Sequence, residues 1–116
     1  MRTTYTIYYP NGDTMDAAVD LPEQPSFREI FKIVGPIIGA GEPIERIRIL
    51  YGLDYTDMFV SELGHLTLST RMPLPINPMA TDLYRENMVA NEPDIDPDLL
   101  PVIAGVAVVF HRPVWF

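Results

Sequence analysis

The chain has 116 residues, 47% of them hydrophobic, enough to enclose one core without disulfide or metal staples. It has no cysteine, which excludes disulfides, thiolate zinc sites and a cysteine nucleophile, and apolar residues run throughout, unlike a disordered chain. Against 16 acidic residues stand 8 basic ones, a net charge of -8, and the seven arginines and Lys32 form no cluster in sequence, which disfavours direct nucleic-acid binding.

A single domain spanning residues 1–116 is expected. The first residues alternate polar and apolar instead of opening an apolar run, so no signal peptide is read, and the longest apolar run, 102–110, is too short to cross a bilayer as a helix. A soluble, cytoplasmic protein with no membrane partner follows as the expectation.

Tyr5, Ile7 and Tyr9 alternate with Thr4, Thr6 and Tyr8; Pro10, Asn11, Gly12 and Asp13 supply a turn; Met15, Ala17, Val19 and Leu21 resume the period of two. This is a β-hairpin with one core face and one wet face, the latter carrying Thr14, Asp16, Ala18 and Asp20. Pro22 and Pro25 break it, and Ser26 with Glu29 reads as a capping box opening a helix. Phe27, Ile30, Phe31, Val34 and Ile38 share its apolar face, and Gly35-Pro36 is expected to end or kink it before a loop at 39–43.

Ile44, Ile47, Ile49 and Tyr51 flank Arg46 and Arg48 in a third strand. Residues 52–56 turn into a fourth strand at 57–61, 62–64 turn again, and 65–69 alternate once more. Asn77-Pro78 starts a second helix running to about Asn91, which buries Ala80, Leu83, Tyr84 and Asn87 or Met88 and exposes Asp82, Arg85 and Glu86. Residues 92–98 are an acidic, proline-punctuated loop, and the run 102–110 reads as a C-terminal strand central in the sheet. The fold class is α+β: an N-terminal hairpin, a helix and a mixed or antiparallel sheet, with a second helix and the central strand. The order suits a ubiquitin-like β-grasp core with added elements, or another open sandwich with both helices on one sheet face.

Few residues are arranged for chemistry. Asp94, Asp96 and Asp98 have the alternate spacing of an EF-hand's first ligands, but Leu99 and Gly105 stand where that loop needs glycine and a carboxylate, so no metal is assigned. His65 and His111 lie in strand-like contexts without a ligand pattern, and the competing enzyme reading rests on Glu62, His65 and His111. Ser26, Ser61 and Ser69 lack an activating context, and the glycines at 35, 39 and 41 follow a helix instead of opening one, so no nucleotide cradle and no cofactor are expected. Tyr8 and Tyr55 are the tyrosines expected to be exposed, while Val114, Trp115 and Phe116 should dock on the core or on a partner.

From Asp57 onward the chain resembles a family of small hypothetical proteins of bacterial, phage and mobile-element genomes. The resemblance lies in Asp57-Met58-Phe59-Val60, in Asn77-Pro78-Met79-Ala80-Thr81-Asp82-Leu83-Tyr84, and in residues 105–110 through Val114-Trp115-Phe116. It implies a genomic setting and no chemistry, and suggests an accessory protein that blocks a host nucleic-acid-binding defence component.

The functional expectation is a small acidic, non-catalytic module that binds a protein partner of basic character. Its face would comprise Asp82 and Glu86 on the second helix with Glu92, Asp94, Asp96 and Asp98 on the following loop.

Overall fold

Period-two alternation in the first twenty residues becomes an antiparallel hairpin in the computed structural model, which describes residues 1–39, 43–62 and 74–116. Strands β1 (Arg2–Tyr8) and β2 (Thr14–Asp20) pair in full register from Arg2 with Asp20 to Tyr8 with Thr14. Gly12, at φ +93°, turns the chain, and the Asn11 side chain accepts the Asp13 amide at 2.9 Å. The expected faces are kept: Tyr5, Ile7, Ala17 and Val19 lie on a core, while Asp16, Ala18 and Asp20 are exposed.

Helix α1 (Phe27–Ile38) opens on the expected capping box, the Ser26 hydroxyl accepting the Glu29 amide while the Glu29 carboxylate accepts the Ser26 amide. Gly35-Pro36 does not end it. Proline falls in the last turn, where its missing amide removes only one intrahelical bond, and the Gly39 amide closes onto the Gly35 carbonyl at 2.9 Å. Strands β3 (Ile44–Tyr51) and β4 (Asp54–Ser61) follow as a second hairpin. Its turn is only Gly52-Leu53, with Gly52 at φ +70°, so β4 begins three residues before the expected position. The strand expected at 65–69, and His65 with it, lies outside the described residues.

Helix α2 (Pro78–Asn91) starts at the Asn77-Pro78 cap, as expected. The acidic loop contains one short 3-10 turn, Pro97–Leu99, and the apolar run ends in strand β5 (Ala107–Phe110). β5 is shorter than expected because Gly105, at φ +83°, breaks the run. Ile103 and Ala104 instead meet the segment before α2, the Ile103 carbonyl accepting the Asn77 amide at 2.8 Å. A side chain at Gly105 would also bring its Cβ within 3.1 Å of Leu74 Cδ1.

The sheet order is β2-β1-β5-β4-β3, antiparallel at every pairing, with β5 in the centre as its composition required. The α+β class holds, with two departures in detail. A β-grasp core pairs its first and last strands in parallel, whereas β1 and β5 are antiparallel here. The helices also occupy opposite faces instead of one. Ile30 and Val34 of α1 pack with Tyr5, Ile7, Phe59, Val108 and Phe110; Ala80 of α2 packs on the other face with Ile47, Ile49, Met58, Val60, Ala107 and Val109.

Each helix covers only part of its face. α2 lies toward the outer strand β3, where the Asn87 side-chain amide donates to the Arg48 carbonyl at 2.8 Å and the Tyr55 hydroxyl reaches Asn91 at 3.2 Å. Among the described residues no helix covers the β1–β2 half of that face. Asn77, fully buried, ties α2 to the sheet: its Oδ1 accepts the Ala80 amide at 3.1 Å, and its Nδ2 donates to the carbonyls of Tyr8 and Gly105, both at 2.9 Å. No described helix is long and apolar enough to cross a membrane.

Candidate functional site

The 3.6-residue period of α2 divides it as expected at its centre: Ala80 and Asn87 are buried, Leu83, Tyr84 and Met88 half-buried, and Asp82 and Glu86 exposed. Arg85 differs from the exposed position expected for it. It is half-buried, and its guanidinium donates to the Leu100 carbonyl at 3.3 Å, drawing the chain after the acidic loop back against the helix.

That return creates a groove of about 500 Å³ between α2 and Pro97. Val89, Ala90 and Pro97 give it an apolar floor, and Asp82, Glu86 and Arg85, whose guanidinium is turned to Leu100, complete its lining. The same two carboxylates border a second, smaller depression of about 200 Å³ with Tyr8, Met79 and Leu83. The structure therefore brings Asp82 and Glu86 together between two apolar depressions. Glu92, Asp94, Asp96 and Asp98 are all exposed on the loop carrying Pro97, and one oxygen of Asp96 accepts the Asp98 amide at 3.0 Å and caps the 3-10 turn. The floor was not singled out from sequence, although positions 82, 86 and 89 have the i, i+4, i+7 spacing of one helix flank.

His111 is placed differently from Glu62. Met58 faces Val109, so His111 lies level with Thr56, while Glu62 follows the far end of β4, roughly 20 Å away at the rise of a strand. Those two residues form no dyad. His111 instead sits on the half of the α2 side of the sheet that no described helix covers. The Thr6 hydroxyl donates to Asp16 Oδ1 at 2.6 Å, so its oxygen accepts from His111 Nε2 at 2.8 Å. The ring's Nδ1 meets the Thr4 hydroxyl at 2.7 Å. Tyr51 stacks on the imidazole with a centroid separation of 5.4 Å. Every polar atom of the ring is thereby committed within the domain.

Of the two tyrosines expected at the surface, Tyr55 is exposed, but Tyr8 is half-buried against the α2-side core. Burial first, then the Tyr51 phenol and the Asp16 carboxylate, push the Tyr8 hydroxyl above its ordinary value of 10.0. The segment 114–116 docks through its backbone and Val114: the amides of Val114 and Trp115 both donate to Asp57 Oδ2, at 2.8 and 3.0 Å, and Val114 is fully buried. Trp115 is half-buried and Phe116 is exposed.

Compared with models of protein families, with curated proteins and with solved structures, the chain matches none of them.

Proposed function

We propose that the protein is a non-catalytic protein-binding module that receives a basic, partly apolar segment of a partner along α2. The observation that carries this is the joining, in one groove, of an apolar floor at Val89, Ala90 and Pro97 with the carboxylates of Asp82 and Glu86. An acidic rim alone serves solubility; an exposed apolar floor does not, and at an interface such a floor supplies the area that excludes water while the rim sets partner charge. Asp94 and Asp98, exposed on the adjoining loop, extend the field that a basic segment would meet on approach.

The test is capture from extracts of the source cell with the wild type and the double variant D82N/E86Q side by side, followed by binding kinetics on whatever the wild type retains. A partner held through this groove is lost or strongly weakened by the double variant, and its association slows as salt is raised. A partner that binds both proteins alike, at a salt-independent rate, refutes the groove.

A further inference from the structure

We infer that the α1 side of the sheet is a second docking surface of the opposite character, one that takes an acidic peptide segment of a partner protein anchored by a large apolar side chain. Strand β3 carries Arg46 and Arg48 on the sheet face that α1 shares, and each guanidinium lies over an aromatic ring. Arg46 is 5.7 Å from the Trp115 centroid and Arg48 is 5.5 Å from that of Tyr55. On α1, Phe27 and Phe31 stand one turn apart beside the same tryptophan, Phe27 stacked on it at 4.5 Å and yet 59% exposed. Arg28 and Lys32 follow these phenylalanines by one position each and are exposed.

An aromatic stripe with Arg46 over its tryptophan and Arg28 and Lys32 exposed beside its phenylalanines, with Arg48 farther along β3, is thus built on a chain whose net charge is -8. Among the described residues no carboxylate lies within ion-pair distance of Arg28, Lys32 or Arg48. Arg46 has one, Asp57 Oδ1 at 3.8 Å, but the other oxygen of that buried carboxylate is committed to two backbone amides. Glu29, on the same helix, is folded back onto Ser26. At the end of the stripe a slot of about 290 Å³ opens between Pro25, Phe27, Ile30, Trp115 and Phe116, lined mostly by apolar groups with Ser26 at one side, and open to one inserted side chain.

Charge segregation identifies the occupant. Asp82 and Glu86 belong to the opposite layer, on α2, so the α1 side offers cations and apolar rings together, the composition of an anchor site for an acidic, aromatic or aliphatic sequence. A nucleic-acid strand fits less well. The overall charge opposes a phosphate backbone.

The experiment is selection of a random-peptide phage library on the immobilised chain, followed by fluorescence anisotropy with the enriched peptides made synthetically. Enriched peptides should combine Asp or Glu with Trp, Phe or Leu. Their affinity should fall on the order of tenfold in R28Q/K32Q/R48Q, which alters only exposed side chains and should melt like the wild type, and should be unaltered in D82N/E86Q. Enrichment of basic peptides, or binding indifferent to R28Q/K32Q/R48Q, overturns the proposal. It is equally overturned if single-stranded oligothymidylate outcompetes the peptides, or if self-association, abolished by the same triple variant, blocks them.

Discussion

The carboxylate of Asp57, on the fourth strand, accepts the backbone amide of Val114 at 2.8 Å although more than fifty residues separate them. The same oxygen takes the Trp115 amide, so one buried side chain fixes the path of the chain beyond the last strand. In D57A two amides, one of them fully enclosed, would lose their acceptor. The expected loss is about 3 kcal/mol, or roughly 10 °C in melting temperature for a domain of this size. Deleting residues 114–116 should lower it further, because the buried Val114 side chain goes as well. Thermal unfolding followed by circular dichroism checks both, and an unchanged D57A would mean that Val114 burial alone holds the segment.

Asn77 separates into two roles that two substitutions can tell apart. Asn77→Ala removes both the helix cap and the donors to Tyr8 and Gly105, and should cost about 3 kcal/mol. Asn77→Asp keeps an oxygen for the Ala80 amide but sets a carboxylate against two carbonyls in a fully buried site. Capping alone would leave the aspartate variant as stable as the wild type. The tie to the sheet predicts instead that urea unfolding finds it destabilised at least as much as the alanine variant.

Tyr8 gives the domain an alkaline limit. Its phenol holds its proton to higher pH in the folded chain than in the unfolded one, so the unfolded chain deprotonates first. The associated stability is complete below the ordinary value of 10.0 and drains away as pH rises through the raised folded value. Urea midpoints measured across the alkaline range should fall less steeply for Tyr8→Phe than for the wild type.

The loop carboxylates should act on rate and not on folding. Asn caps a turn about as well as Asp, so D94N/D96N/D98N should retain the Asp96-type cap and melt within about 0.5 kcal/mol of the wild type. With the basic partner in hand, the triple variant should associate more slowly at low salt and similarly at high salt. An unaltered rate at low salt would leave Asp82 and Glu86 as the whole of the acidic face.

Both hairpin strands, both helix starts and the central place of the last strand were legible because each rests on neighbouring residues: Ser26 with Glu29, Asn77 with Pro78, alternation from Tyr5 to Leu21. The two-sided covering of the sheet was legible in principle. Ala107-Val108-Val109-Phe110 is apolar on both phases, which one covered face cannot explain. What alternation cannot show is which core each phase joins, and hence where each helix lies. The acidic residues were readable as a cluster, but the groove depends on Arg85 pulling the chain back to α2 through Leu100, a contact fifteen residues apart with no sequence signature. The cationic stripe was invisible for a similar reason, since Arg46 meets Trp115, and through it Phe27 and Phe31 of α1, only after the chain that follows β5 is laid across the sheet.

The bond from Asn87 to the Arg48 carbonyl bears on how copies of this molecule can meet. An antiparallel sheet has two rims where a foreign strand can be added, and α2 with Asn87 and Tyr55 obstructs the rim at β3. Among the described residues the rim at β2 stays open, studded with Asp16 and Asp20. Growth of the sheet from molecule to molecule requires two receptive rims, one to accept and one to offer. With one receptive rim among the described residues, edge-on pairing through them halts at two molecules, and the ladder that would propagate into a fibre has no second rung.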